Sequence, residues 1–142
     1  MKIIYQDNSA DHTAIFKHLH SCGEDFLHEL KRRVDLDTYI EKLLSSAHRF
    51  EAWAENELVG FLAIYLNPKE KFDFITNISV SEQCQKRGIA SKLLTMAIVK
   101  SANPEIRLEV IKDNLRAIAF YEQAGFKRAD ETERTYVLSL VR

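Results

Sequence analysis

The chain has 142 residues, of which 46% are hydrophobic and 29% are charged, and we expect residues 1–142 to form a single globular domain. The formal net charge is -1 and no runs of like charge occur, which disfavours general binding to nucleic acid or to an anionic membrane. There is no secretory signal and no apolar run near the ~18 residues of a membrane span, so no membrane partner is expected. Cys22 and Cys84 match no disulfide framework and no zinc spacing, which favours a reduced, cytoplasmic protein without a metal site.

The first third of the chain predicts one short strand and then helices. Residues 2–5 predict the strand, and Asp11 is the predicted N-cap of the helix that follows. A second helical region comes next, and the segment 33–37 breaks it in two. Asp35 or Asp37 is the predicted N-cap of the new helix.

The middle of the chain changes to strand patterns. Residues 50–54 and 58–66 predict two strands joined by the polar turn 55–57, and Pro68 is predicted to end this hairpin. Residues 72–80 predict a third strand.

The last third alternates between helix and strand. From Gly88 the apolar residues recur every three or four positions, which predicts a helix. A strand at 106–110, a helix capped by Asn114 and a last strand at 135–140 follow. The whole order, β-α-α-β-β-β-α-β-α-β-β, predicts a mixed α/β fold around one sheet, and the strand–helix–strand unit around Gly88 should be a parallel crossover.

The stretch QKRGIAS at residues 85–91 places a glycine between two cationic residues and a predicted helix. Gly88 has two possible roles here. It allows the chain to turn into the helix, or it leaves backbone N–H groups unpaired so that they can bind an anion. The first N–H groups of a helix have no internal partners, and a glycine lets a phosphate approach closely. Lys86 and Arg87 would add positive charge. The motifs of P-loop and dinucleotide-binding proteins are both missing, which disfavours a general nucleotide-binding protein.

Two sequence blocks carry a resemblance to a known superfamily. Residues 85–90 read Q-x-x-G-x-A, similar to the acetyl-CoA signature Q/R-x-x-G-x-G/A of the GNAT N-acetyltransferases. Residues 108–126 resemble the second GNAT block, with N-x-x-A-x-x-x-Y-x-x-x-G-F in register at Asn114, Ala117, Tyr121, Gly125 and Phe126. The resemblance implies the GNAT fold, which is a single mixed and mostly antiparallel sheet flanked by helices.

The resemblance also implies acetyl-CoA as the cofactor and indicates where it binds. The pantetheine arm would lie along the strand before the signature, and the pyrophosphate would lie on the amides of residues 85–91. Asn114 matches an asparagine near the pantetheine, although its role as a helix cap explains it equally well. The implied cofactor-binding residues are Ile78, Ser79, Val80, Gln85, Lys86, Arg87, Gly88, Ile89, Ala90, Ser91, Asn114 and Tyr121.

Tyr121 is the implied general acid of a direct acetyl transfer in a ternary complex. Attack of an amine on the thioester expels a thiolate, and a nearby phenol can donate a proton or a hydrogen bond as that charge develops. The alternative is that Tyr121 is one more apolar-face residue beside Phe120.

The general base is left open by the sequence. Some GNAT enzymes use a glutamate on the strand before the signature, but Phe74 holds the matching position and Asp73 should point to the other face. A different GNAT subset, similar to the acetyltransferases of ribosomal-protein N-termini, carries a glutamate in L-E-V before the asparagine, and this resemblance implies Glu109 as a base. The alternative is that Glu109 is a solvated glutamate or one paired with Arg107. A water molecule could also serve, held by one of the polar residues Thr76, Asn77 and Ser79.

The acceptor is predicted to be a small-molecule or peptide amine, which covers a small amine, an amino sugar and a peptide N-terminus. The resemblance implies that the acidic segments 23–28 and 130–134, the latter a loop before the last strand, wall the acceptor site. His18-Leu19-His20-Ser21-Cys22 looks like a metal cluster, but residues two apart on a helix do not face each other, so ordinary helix-end residues are expected there.

The sequence alone leaves two further questions open. The first is whether the chain is an enzyme or a GNAT-fold module that binds CoA without significant catalysis, which the missing glutamate at Phe74 would suit. The second is the oligomeric state, because the last strands of this fold often mediate homodimers.

Overall fold

The computed structural model describes residues 1–67 and 69–142, which form one seven-stranded sheet with helices on both faces. The sheet order is β1-β2-β3-β4-β5-β7-β6. The strands are β1 (Ile4–Asp7), β2 (His48–Ala54), β3 (Glu57–Tyr65), β4 (Phe72–Val80), β5 (Glu105–Ile111), β6 (Lys127–Glu131) and β7 (Thr135–Val141). The helices are α1 (His12–His20), α2 (Glu24–Arg33), α3 (Leu36–Ser46), α4 (Ile89–Lys100) and α5 (Leu115–Gln123).

The predicted fold class is confirmed. Among the described strands, β4 and β5 form the parallel pair that the strand–helix–strand pattern predicted, and the other neighbours are antiparallel. The predicted end of the hairpin at Pro68 lies outside the described residues. None of the helices in the described part of the chain is both long and apolar enough to span a membrane.

The predicted helix caps lie where their side chains can bind free N–H groups. Asp11 accepts a hydrogen bond from the Ala14 N–H at 2.9 Å. Asp35, rather than Asp37, starts α3 by accepting from the Thr38 N–H at 3.1 Å. The second helical region is therefore two helices, α2 and α3.

Two predictions need correction. The opening strand was predicted at residues 2–5 but is β1, because its pairing with β2 runs from Ile4 opposite Trp53 to Asp7 opposite Phe50. The segment 130–134 was predicted as a loop, but its first two residues belong to β6. All five side chains of β6 are exposed, so its sequence shows no apolar alternation.

The core has two parts, one on each face of the sheet. On β3, Phe61 and Ala63 pack against α1 and α3, whereas Leu62 and Ile64 face the side of α4 and α5. Gly60 brings α4 close to the sheet: a Cβ there would lie 2.5 Å from Ile89 Cγ2 and 3.1 Å from Ala52 Cβ. A side chain at residue 60 would therefore require Ile89, at the start of α4, to shift.

We expect Gly60→Ala to lower the free energy of unfolding by about 1–3 kcal/mol, because the added methyl overlaps Ile89. Urea unfolding followed by circular dichroism measures this. The double-mutant cycle with Ile89→Ala supplies the control, since removing the Ile89 side chain should make the same glycine substitution less costly. An equal cost in both backgrounds would show that the contact is not the cause.

Candidate active site

The two central strands of the sheet separate half-way along their length. β4 pairs with β5 from Phe72 to Ile75, opposite Glu105 to Leu108, and no later pair between them occurs in the described chain. β4 nevertheless stays paired with β3 as far as Val80, and β5 stays paired with β7 throughout. The result is a gap between two supported strands, with the edge of β4 open to a ligand.

A bulge lies where the strands separate. Ala63 of β3 faces Asn77 and Ile64 faces Ile75, so Thr76 is an extra residue with no partner in β3. The Tyr39 hydroxyl on α3 lies 3.2 Å from the Thr76 carbonyl oxygen and 3.0 Å from its Oγ1. The bulge is thereby stabilised by a contact with α3 rather than by pairing with β3.

One cavity, here called the loop cavity, lies between the end of β4, residues 84–91 and α5, with a volume of about 420 Å³. Every predicted cofactor-binding residue except Arg87 lines it, and Arg87 is exposed. Arg116 on α5, which was not predicted from the sequence, also lines the loop cavity. Arg116 lies two residues after Asn114, inside the second block, and this position could have indicated that it lies near the cofactor site.

The start of α4 offers free backbone donors to this cavity. Gly88 has φ 78° and ψ 8°, a left-handed conformation that glycine adopts without strain, and a Cβ there would meet no atom within 4 Å. The first helical bond runs from the Lys92 N–H to the Gly88 carbonyl at 3.1 Å. The N–H groups of Ile89, Ala90 and Ser91 have no acceptor in the described residues. Together with the helix dipole they can hold an anionic group.

A second cavity, the cleft cavity, has a volume of about 640 Å³ and lies between α2, β4, β5 and the turn before β7. The predicted wall segments contribute Asp25, Phe26 and Arg134 to it. Its charged lining consists of four carboxylates and two guanidinium groups: Asp25, Glu29, Glu109, Asp113, Arg33 and Arg134. The cleft cavity therefore has an excess of negative charge.

An ion pair closes one side of the cleft cavity. Arg134, in the turn between β6 and β7, lies 3.6 Å from Glu29 on α2. Glu29 and Arg33 lie on a predicted helix, and nothing in their local pattern shows that they approach residue 134. Neither residue was predicted from the sequence for that reason.

The two cavities meet at four shared residues, here called the junction, which are Ile78, Asn114, Ala117 and Tyr121. Tyr121 is 7% exposed and packs edge-on against Phe120 and Phe126, at 5.2 and 5.8 Å between ring centroids. Burial raises the pKa of Tyr121 well above its usual range, so its hydroxyl stays a hydrogen-bond donor at neutral pH. A donor at the junction can act on a group that enters from either side.

Asn114 combines two roles in this arrangement. Its Oδ1 accepts a hydrogen bond from the Ala117 N–H at 3.2 Å and so caps α5. It also lines both cavities. The two readings from the sequence are therefore compatible.

The candidates for a base are now distinguished by their surroundings. Burial would raise the pKa of Asp73, but hydrogen bonds from Ser101, Asn67 and Asn103 hold that pKa below its usual range, so Asp73 has a structural role. Arg107 binds Glu105 with an Nε–Oε2 distance of 2.6 Å. Glu109 is exposed in the cleft cavity, and no cation of the described chain lies within ion-pair distance of it.

His18 is not an ordinary helix-end residue, which corrects the sequence analysis. It is 1% exposed, with Nδ1 3.0 Å from the Leu58 carbonyl oxygen and Nε2 2.9 Å from Ser79 Oγ. Burial lowers the pKa of His18 to about 4. Within the described residues, no three His, Cys, Asp or Glu side chains are grouped so that they could hold a metal ion.

Residues 5–126 match the family model described as the acetyltransferase (GNAT) family. The chain belongs to this family. Mycothiol acetyltransferase of Jonesia denitrificans is 33% identical over 72 residues, which cover 49% of this chain and 23% of that protein. The chain thus spans about a quarter of the length of the curated relative that it matches.

Solved GNAT structures share the whole fold at low sequence identity. PaiA N-acetyltransferase from Thermoplasma acidophilum, in complex with coenzyme A, superposes with a TM-score of 0.81 at 18% identity over 100% of both chains. Arabidopsis thaliana Naa50, in complex with the bisubstrate analogue CoA-Ac-MVNAL, gives 0.75 at 21% identity, over 100% of both chains. Coenzyme A in such structures is typical of the GNAT family.

The buried imidazole of His18 should make stability depend on pH. The unfolded chain binds this proton with a pKa of about 6.5 and the folded chain only near 4, so the unfolded state takes up more protons between these values. The free energy of unfolding should therefore fall as pH decreases through this window, by about 3 kcal/mol from His18 alone.

Urea unfolding at pH 7, 5.5 and 4 measures this dependence. His18→Gln should flatten it, whereas His20→Gln, an exposed histidine two residues away, should keep it. The same slope in His18→Gln as in the wild type would contradict a buried neutral His18.

Proposed function

We propose that the chain is an acetyl-CoA-dependent N-acetyltransferase that moves an acetyl group directly to a primary amine in a ternary complex. The observation that carries the proposal is the meeting of two cavities at Tyr121, where the buried hydroxyl is a donor. The loop cavity would take the thioester and the cleft cavity the amine. Family membership supports the reaction class.

The donor would follow the open edge of β4. The pyrophosphate lies on the free amides at the start of α4, and Lys86 and Arg116 flank it with positive charge. The pantetheine arm then lies along Val80, Ser79 and Ile78, where β5 has separated from β4. This path brings the thioester to the junction. The CoA complex of the Thermoplasma relative supports the choice of donor.

Tyr121 would assist the departure of the thiolate. The neutral amine attacks the thioester carbonyl carbon, the C–S bond breaks, the nitrogen gives up one proton as it becomes an amide, and the sulfur takes up one proton. A phenol whose pKa is raised by burial keeps its proton at neutral pH, so it can donate a hydrogen bond to the sulfur as charge develops there, and any proton that it passes to the sulfur is taken back from solvent.

The proton of the incoming ammonium would leave through the cleft cavity. Glu109 is the carboxylate candidate, because it is exposed to the cavity and free of a paired cation in the described residues. The alternative is a water molecule held by polar groups of β4, for which the candidates are Thr76, Asn77 and Ser79. The two routes differ in whether residue 109 must be a carboxylate.

The acceptor would be cationic before it reacts. The surplus of carboxylates in the cleft cavity attracts an ammonium group, and the near-neutral whole chain gives no reason to expect a polycationic or nucleic-acid-bound acceptor. The peptide-like analogue bound by Arabidopsis Naa50 supports a peptide N-terminus, alongside a small amine or an amino sugar. A cytoplasmic location, a single domain and a homodimer stay predictions.

A second candidate function is a CoA-binding module without significant catalysis. The observation that favours it is Phe74, which stands at the position where some GNAT enzymes carry a glutamate base. Calorimetry with CoA and a thiol-release assay with acetyl-CoA separate the two functions. The acceptors to compare are tyramine, glucosamine and a pentapeptide with a free N-terminus.

Tyr121→Phe should slow acetyl transfer by ~100-fold, because the hydroxyl that stabilises the leaving thiolate is lost. The affinity for CoA should stay within about twofold, since the ring that packs on Phe120 and Phe126 is kept. Tyr5→Phe, on the edge strand β1, is the matched control and should be as active as the wild type. An unchanged rate in Tyr121→Phe would remove Tyr121 from the mechanism.

Glu109→Gln should lower kcat/KM and remove the part of the pH–rate profile that reports ionisation of this carboxylate. The substitution keeps the size of an exposed side chain, so folding should be unaffected. Glu57→Gln, an exposed glutamate on β3 outside the cleft cavity, is the control. If the pH–rate profile of Glu109→Gln matches the wild type, the water-mediated route is the one that operates.

A further inference from the structure

A chain of buried polar groups joins α1 to both cavities. His18 Nε2 lies 2.9 Å from Ser79 Oγ, and Ser79 Oγ lies 2.9 Å from the side-chain amide of Asn77. All three residues are at most 7% exposed. Ser79 lines the loop cavity and Asn77 the cleft cavity, so a residue outside the site is connected to the place proposed for the amine.

The protonation of the His18 ring follows from its neighbours. The Leu58 carbonyl oxygen, 3.0 Å from Nδ1, can only accept a hydrogen bond, so Nδ1 carries a proton. A second proton on Nε2 would bury an imidazolium, and no carboxylate of the described chain pairs with His18. The ring is therefore neutral at pH 7, which agrees with its pKa of about 4. Its Nε2 must accept, and the Ser79 hydroxyl must donate.

This order of donors fixes the orientation of the Asn77 amide. With Oδ1 beside Ser79, the single hydroxyl proton would have to serve Oδ1 and His18 Nε2 together. The two ends of an amide have the same shape and are assigned from their hydrogen bonds. Turning the amide by half a turn lets its nitrogen donate to the Ser79 oxygen. The carbonyl end is then turned to the other side, where it borders the cleft cavity and approaches the Tyr39 hydroxyl, which can donate to Thr76 instead.

We propose that His18 is a positioning residue that acts through Ser79 to turn the carbonyl oxygen of Asn77 toward the cleft cavity, where it accepts a hydrogen bond from the N–H of the acceptor. The identity of that acceptor rests on the proposed function, whereas the orientation of the amide rests on the geometry alone. A carbonyl oxygen matches an amine, which arrives with N–H donors. In the reverse orientation the amide N–H of Asn77 would face the N–H of the acceptor, and two donors cannot form a hydrogen bond with each other.

The tautomer of His18 tests the first link without any turnover. Long-range proton–nitrogen correlation spectra of the ¹⁵N-labelled chain at pH 7 identify which ring nitrogen carries the proton. We expect a neutral ring protonated on Nδ1. A proton on Nε2, or a charged ring at pH 7, overturns the proposal.

Steady-state kinetics test the second link, with whichever of the three panel amines the wild type acetylates fastest. Ser79→Ala breaks the connection, and the KM for the amine should rise ~3- to 10-fold. The KM for acetyl-CoA should stay within about twofold, because the pantetheine contact proposed for residue 79 uses its backbone. Ser79→Thr keeps the hydroxyl and should restore most of the amine KM. A general structural defect would affect both substrates and would not be rescued in this way.

Cys22→Ala is the matched control for packing. The Cys22 sulfur lies 3.5 Å from His18 Nε2 but is not between His18 and Asn77, so both KM values should stay within about twofold of the wild type. An unchanged amine KM in Ser79→Ala overturns the proposal. A wild-type chain that acetylates none of the panel amines contradicts the proposed function instead, and the tautomer of His18 still decides the orientation of the amide.

Discussion

The separation of β4 from β5 after Ile75 is the constraint on which the rest of the structure depends. A gap in the middle of a sheet is normally filled by pairing, because unpaired backbone groups are costly to bury. Here each strand keeps its outer neighbour, so the gap stays open without unravelling the sheet. The bulge at Thr76 lies at the same level and is held by Tyr39. Both cavities border this opening.

The elements that border the gap are placed by local features of the sequence. Gly60 lets α4 approach β3, and Gly88 turns the chain so that the first amides of α4 face the loop cavity. Asn114 starts α5, and seven residues later Tyr121 reaches the junction. The approach of Ile89 to Gly60, the left-handed turn at Gly88 and the cap at Asn114 therefore place free amides, an open strand edge and a buried phenol around the same gap.

The sequence predicted this framework better than it predicted the cleft. The bounds of β4 agree with the prediction because its apolar residues alternate. The predicted order included a strand before β7, but its residues could not be located because all the side chains of β6 are exposed. The family blocks located Gly88, Asn114 and Tyr121. Contacts such as that of His18 with Ser79, 61 positions apart, have no local pattern, since a helix residue and a strand residue meet only after folding. The charged lining of the cleft cavity could not be predicted either, because its residues come together only after folding.

The central claim is that a thioester in the loop cavity meets an amine in the cleft cavity at Tyr121. A crystal structure of the chain with bound CoA tests this most directly. The account predicts the pyrophosphate on the amides of residues 89–91 and the sulfur within hydrogen-bond distance of the Tyr121 hydroxyl. A CoA molecule bound elsewhere, or with its sulfur turned away from the junction, would contradict it.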